Sequence, residues 1–156
     1  MCTDYMKLNK ACSEDSYPLP SIDRLIDGEI GHHILSFLDA YSGYNEIQMH
    51  PRNKEKTTFM IDCDNFYYGV MLFDLKNVGA TYQRLMNYIF KGMLDRNIEV
   101  YVDDIVVKSD SCLQHIQDIK EVFKALRDHG MWLNPVNCVF GVEGEKFLGF
   151  MLTHLS

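Results

Sequence analysis

The stretch Ile98-Glu99-Val100-Tyr101-Val102-Asp103-Asp104-Ile105-Val106-Val107 sets two adjacent carboxylates between two short apolar runs, the pattern of a β-hairpin with acids at its bend. A third aspartate, Asp39, follows another apolar run, Ile34-Leu35-Ser36-Phe37-Leu38, and is expected to project from a strand end. Three acids on rigid strand ends suit a pair of Mg²⁺ ions clamping a transferring phosphoryl group, one activating the attacking oxygen and the other stabilising the leaving one. The plain alternative is turn decoration, because Asp is favoured in turns and two such residues can simply link two buried strands. Clustering weighs against it. Neighbouring ionised carboxylates cost free energy unless a cation or donor compensates. No lysine or arginine nearby in sequence offers a partner for all three.

At 156 residues and 47% hydrophobic content, the chain is long enough for one sizeable core and too short for several ordinary domains. No apolar run approaches the roughly 20 residues needed to span a bilayer, and the N-terminus has neither a basic n-region nor an apolar h-region. A soluble, intracellular chain that is not secreted and meets no membrane is expected. The five cysteines are scattered without a C-x-x-C pair, which indicates reduced thiols rather than a disulfide framework or a zinc site. The formal net charge of -7 argues against a free-standing nucleic-acid binder, since sequence-independent affinity comes mainly from lysine and arginine on phosphates. Part of that acidity is the proposed metal site, which bound Mg²⁺ would neutralise; other domains would supply the basic surface.

The opening segment is polar, and Tyr17-Pro18-Leu19-Pro20 should be extended because each proline disfavours helix in the residue before it. Ser21 is a candidate cap for a short helix carrying Ile22, Leu25 and Ile26, with Gly28 as its stop. Strand-like runs then come in pairs: 34–38 with 46–49 around Tyr41-Ser42-Gly43-Tyr44, and 57–61 with 67–73 around Asp62-Cys63-Asp64-Asn65. Tyr82, Leu85, Met86, Ile89, Phe90, Met93 and Leu94 recur at helical spacing and predict an amphipathic helix over 80–94 beneath the strands. A second helix is predicted over 113–126, with Leu113, Ile116, Phe123 and Leu126 inward and His129-Gly130 as its stop. Trp132-Leu133, Val139-Phe140 and residues 146–152 are short strand candidates. Strand pairs interleaved with two long helices predict an α+β layer, a mainly antiparallel sheet with helices on one face.

Other constellations have bland readings of comparable weight. The loop 73–83 leads from a strand into the first long helix, where backbone N–H groups can meet phosphates, but an ordinary connection looks the same. Lys146-Phe147-Leu148-Gly149-Phe150 reads equally as a core strand with a glycine kink. The six histidines show no catalytic pairing with a serine or cysteine, and His32-His33 reads as a solvated turn.

Taken together, Leu38-Asp39-Ala40-Tyr41-Ser42-Gly43-Tyr44, the loop 73–83, Tyr101-Val102-Asp103-Asp104 and Phe147-Leu148-Gly149 resemble, in order and spacing, the reverse transcriptase of gypsy-type LTR retrotransposons, particularly the plant members. Asp4-Tyr5-Met6-Lys7-Leu8-Asn9-Lys10 and Tyr17-Pro18-Leu19-Pro20 extend the resemblance over nearly the whole chain. It implies one domain fragment of an RNA-directed DNA polymerase: partial fingers at about 1–30 and 50–75, palm in the remainder, with thumb, connection and ribonuclease H absent. It also implies that Asp39, Asp103 and Asp104 hold two Mg²⁺ ions, with Mn²⁺ as a substitute, while a primer 3′-hydroxyl attacks the α-phosphate of a dNTP. By the same resemblance Tyr44 crowds a ribose 2′-hydroxyl, and Phe73, Asp74 and Lys76 line the nucleotide and template pocket. Val102 then lies against the primer terminus, and Phe147, Leu148 and Gly149 belong to the primer grip. The implied partners are an RNA or DNA template with primer, dNTP, and further Pol domains (thumb, ribonuclease H, integrase). The implied setting is a cytoplasmic retrotransposon particle or the nucleus.

The departures set a rival expectation. Where the family has the form Met-Pro-Phe-Gly-Leu, this chain has Leu72 and Asp74, and Asp74 adds a negative charge where a triphosphate would bind. A fingers arginine of the family lies ahead of Met1. A truncated remnant without polymerase activity would show the same features. A nucleotide cyclase would instead carry a Gly-Gly-Asp-type turn.

Overall fold

The apolar run ahead of Asp39 becomes a central strand. In the computed structural model, which describes residues 5–21, 32–40 and 47–142 and the backbone of 145–147 and 150–152, β1 (Ile34–Asp39) lies between β5 (Asp104–Ser109) and β6 (Val139–Val142). With β4 (Ile98–Tyr101) outside β5, the order is β4-β5-β1-β6, and every pairing is antiparallel. The predicted hairpin is therefore present, and Asp39 comes into register with Asp104.

Side chains alternate across this sheet, as a two-residue period requires. Leu38, Ala40, Ile98, Val100, Ile105 and Val107 are buried in one core with the helices, whereas Leu35, Phe37 and Val106 form a second, smaller cluster. Two long helices complete the α+β architecture: α3 (Val78–Ile89) and α4 (Cys112–Asp128). Helix α3 supplies Tyr82, Met86 and Ile89 to the main core, and Phe90 at its C-terminal boundary is fully buried. The helix stops short of the predicted residue 94. Gly92 at φ 91 takes the chain out of the helical region, while Met93 and Leu94 still pack against the core.

Helix α4 begins where its side-chain chemistry allows. The Ser111 hydroxyl accepts from Gln114 N–H at 3.3 Å, satisfying one of the free donors of the first turn. It ends at His129, followed by Gly130 at φ 67, as the sequence predicts. Its buried face differs from the prediction. Leu126 is inward, but Leu113, Ile116 and Phe123 are 80%, 46% and 36% exposed, and His115, Asp118 and Val122 point into the protein instead. The reason is chemical. Ser36 on β1 and Ser109 on β5 face the helix, and they offer His115 and Asp118 partners that leucine has no use for.

The remaining strand pairs also differ. The second predicted pair is a tighter hairpin, β2 (Phe59–Ile61) with β3 (Asp64–Phe66), turning at Asp62-Cys63 with Asp62 at φ 54. Asp tolerates that left-handed conformation, so Asp64 and Asn65 join a strand instead of the turn. Segment 67–73 does not pair with β2. It lies beside 47–49, where Met49 N–H donates to Gly69 O at 2.9 Å and Met71 N–H to Ile47 O at 2.8 Å. The expected partnership of 46–49 with 34–38 is thus replaced by β5 and β6 on the two sides of β1. A short helix, α1 (Met6–Ala11), precedes the extended segment through Pro20, and α2 (Pro51–Lys54) continues into a 3₁₀ turn. Residues 146–152 are not one strand. Strands β7 (Glu145–Phe147) and β8 (Phe150–Leu152) pair with each other. The predicted helix from Ser21 lies outside the described residues, and no helix among the described residues is long and apolar enough to cross a membrane.

Candidate active site

Asp39 closes β1, Asp104 opens β5 opposite it, and Asp103 sits in the turn that joins β4 to β5. Because Leu38 and Ala40 point into the main core, alternation puts Asp39 on the other face of the sheet. Asp104 shares that face, since its neighbour Ile105 points into the core. The turn itself is under strain. Val102 has φ 55, a region that β-branched residues rarely enter and that costs on the order of 1–3 kcal/mol.

Two hydrogen bonds from outside the hairpin hold this turn. Ala40 N–H donates to Asp103 O at 2.9 Å, and Val102 N–H donates to Oε1 of Gln83 at 2.7 Å. Gln83 lies on α3, is fully buried, and donates from Nε2 to Val100 O at 3.1 Å and to Asn87 Oδ1 at 3.0 Å. On the far side of β1, Asn134 N–H donates to Asp39 O at 2.8 Å. Oδ2 of Asp39 accepts from Nδ2 of Asn137 at 2.7 Å and of Asn134 at 3.2 Å.

The carboxylates feel one another. Burial, then Asp103 and Asp39, raise the Asp104 pKa from 3.8 to about 6; burial chiefly, with Asp39, raises that of Asp103. Among the described residues none of the three joins an ion pair with lysine or arginine. This donor set fits a hard divalent cation: three carboxylates, oxygen only, with negative charge that nothing described neutralises. The arrangement is open as it stands. No three ligand-type side chains among the described residues converge on one point, and Asp39 is turned to its asparagines. Coordination by all three therefore requires Asp39 to share or leave them.

The second loop is stitched to the N-terminal segment. Asn9 Nδ2 donates to Asp74 O at 2.7 Å, Lys76 N–H donates to Asn9 Oδ1 at 2.9 Å, and the Lys76 ammonium donates to Cys12 O at 3.4 Å. Asn77 bonds Ser13 O and the Asp15 amide, and Arg84 reaches both Asp15 oxygens at 2.8 Å while lying over the Tyr17 ring. Asp74 is exposed, and the Phe73 side chain is 72% exposed. Tyr44, Leu148 and Gly149 lie outside the described residues; Phe147 is placed by its backbone, paired with Phe150. Sequence reasoning missed Gln83, Asn134 and Asn137. The one available signal was a glutamine between Tyr82 and Met86 on the buried face of an amphipathic helix.

Residues 1–152 match the family described as reverse transcriptase (RNA-dependent DNA polymerase). Similar curated proteins include the retrovirus-related Pol polyprotein from transposon 297 of Drosophila melanogaster, 34% identical over 96% of this chain and 14% of that protein. The Pol polyprotein from transposon gypsy of the same organism is 29% identical, over 96% of this chain and 14% of that protein. The transposon Tf2-3 polyprotein of Schizosaccharomyces pombe is 30% identical, over 100% of this chain and 12% of that protein. The chain thus spans about a seventh of the length of these relatives. Among solved structures, the foamy viral protease-reverse transcriptase in complex with RNA/DNA hybrid has the same fold, with TM-score 0.87 at 20% identity, over 96% of this chain and 20% of that one.

Proposed function

Because the chain belongs to the reverse transcriptase (RNA-dependent DNA polymerase) family, we propose that it is a palm with partial fingers that transfers a nucleotidyl group from dNTP to a primer 3′-hydroxyl. One observation carries this reading: Asp39 and Asp104 in register on adjacent strands, with Asp103 in the adjoining turn and the Asp104 pKa pushed up by burial and then by its two acidic neighbours. Asp39, Asp103 and Asp104 would hold two Mg²⁺ ions, or Mn²⁺ in their place. When bound, these supply an activated primer hydroxyl and neutralise charge on the transferring phosphoryl group.

The chain's own residues position the reactants. Phe73, with Asp74 and Lys76 beside it, lines the nucleotide and template pocket, and Tyr44 crowds a ribose 2′-hydroxyl so that deoxynucleotides are preferred. Val102 contacts the primer terminus, with its backbone fixed by Gln83, and Phe147, Leu148 and Gly149 grip the primer strand. The substrate is an RNA or DNA template with its primer, in keeping with the RNA/DNA hybrid bound by the foamy viral enzyme. Further Pol domains would supply basic surface that a chain of net charge -7 lacks.

Primer extension on poly(rA)/oligo(dT) with dTTP and Mg²⁺ tests the reading. Extension by the chain should fall by at least about a hundredfold in Asp103→Asn and rise in Asp74→Gly, which removes a negative charge from the nucleotide loop. Extension indifferent to Asp103→Asn would refute the assignment.

A further inference from the structure

We propose that Gln83 is the positioning residue of the acid-bearing turn, its buried carboxamide holding Val102 in the strained conformation that presents Asp103 and Asp104 beside Asp39. The inference rests on reading those three aspartates as one site. The orientation of the carboxamide is unambiguous, because both its backbone partners are of fixed kind. Val102 N–H can only donate, so it faces Oε1; Val100 C=O can only accept, so it faces Nε2. The second Nε2 hydrogen goes to Asn87 Oδ1, and Asn87 Nδ2 in turn donates to the Tyr17 hydroxyl at 2.8 Å. Each step fixes the next. A chain of hydrogen bonds runs from the N-terminal segment through α3 into the turn.

The strain makes this arrangement more than packing. A two-residue turn with positive φ at its first central position is normally made by glycine. Valine there persists only if its surroundings over-determine it. Gln83, itself fully buried, brackets Tyr101 at Val100 O and Val102 N and so fixes the amide about which the strained φ of Val102 turns, while Ala40 N–H holds the other side of the turn at Asp103 O. If the carboxamide holds the strain, removing the strain should make the carboxamide dispensable.

Gln83→Met keeps the length and removes the hydrogen bonds; Val102→Gly removes the cost of positive φ. The four chains of this cycle are compared without metal, by amide exchange at Ala40 and at residue 102, and then by Mn²⁺ titration. Gln83→Met should speed exchange at Ala40 and Val102 by about tenfold relative to the β4–β5 ladder and weaken Mn²⁺ binding by a similar factor. In the Val102→Gly background the same change should leave Ala40 within about twofold of its parent. Equal effects in both backgrounds, or a uniform rise in exchange across the protein, would overturn the proposal. Should Gln83→Met not fold, Gln83→Glu replaces it. That variant keeps an acceptor for Val102 N–H and should retain Ala40 protection within about threefold; loss of protection unrelieved by Val102→Gly would overturn the proposal. Absence of Mn²⁺ binding in the unmodified chain would count against the metal-site reading alone, because the exchange comparison needs no metal.

Discussion

Asp104 illustrates how one residue can cost stability and be kept. Its pKa of about 6 in the folded chain lies above the ordinary 3.8, so between those values the folded state holds more protons than the unfolded one. Stability from this group is therefore full below about pH 4 and is lost as the pH rises through 6. After allowance for partial exposure the loss is about 1–2 kcal/mol at neutral pH. Asp104→Asn should accordingly raise the melting temperature of the metal-free chain by a few degrees at pH 7.5 and change it little at pH 4. Thermal unfolding followed by circular dichroism at the two pH values checks this. Addition of Mg²⁺ should narrow the gap by stabilising only the chain with all three acids.

At the scale of elements, α4 is fastened to the sheet by a polar line. Gly141 N–H donates to Ser36 Oγ at 3.0 Å, Ser36 bonds His115 Nε2 at 2.7 Å, His115 Nδ1 bonds Ser109 Oγ at 2.9 Å, and Ser109 donates to Asp118 at 2.6 Å. Asn97 and Gln114 complete the Asp118 shell. Burial lowers the His115 pKa below 6.5. Burial opposes ionisation of Asp118 as well, but its hydrogen bonds from Ser109, Gln114 and Asn97, with the Arg96 charge, hold its pKa below 3.8. In both cases the unfolded chain takes up protons more readily. The stability contributed by these two groups is full above pH 6.5 and falls as the pH drops, first through His115 and then through Asp118. Asp118→Ala, which strands buried donors, should cost about 2–4 kcal/mol by urea denaturation at pH 7. In an Asp104→Asn background, which removes the larger of the two opposing carboxylate contributions, the urea midpoint should fall between pH 7 and 5.5, and it should cease to do so in His115→Gln.

This polar line also explains what the sequence leaves illegible. The hairpin at 98–107 and the helix around Tyr82, Met86 and Ile89 are plain because their buried positions are apolar and periodic. The inward face of α4 is hidden because His115 and Asp118 occupy it, and periodicity counts them as solvent-facing. Gln83 is hidden for the same reason. The three acids are legible as candidates from their places beside apolar runs. That Asp39 and Asp104 are opposite one another is a matter of strand register, which local pattern does not carry.

For the molecule as a whole, the residues displaced from the core leave a mark on the surface. Phe123 and Phe140 meet edge to face with centroids 6.1 Å apart, and Phe123 and Trp132 line a shared groove with Leu126, Met131 and Leu133. Leu113 and Ile116 add apolar area elsewhere on α4. An apolar surface of this kind favours association in water. The isolated chain should show concentration-dependent sedimentation, and Phe123→Ser combined with Trp132→Ser should shift it toward monomer without loss of helical circular dichroism.

The alternation of β1 and β5 has a last consequence, for insertions and deletions. Along β1 the helix-facing Ser36 and Leu38 interleave with Phe37 and Asp39; along β5 Ile105 and Val107 interleave with Asp104 and Val106. Substitutions act on one position at a time, whereas losing a single codon inside 34–39 or 104–109 would exchange the two faces of the strand. An acid would then be driven into the helix-packed layer and its apolar neighbour out of it. The number of residues in these two strands is thus constrained by geometry, far more tightly than in the exposed turn at Asp62-Cys63, where a codon gained or lost only lengthens or shortens a loop.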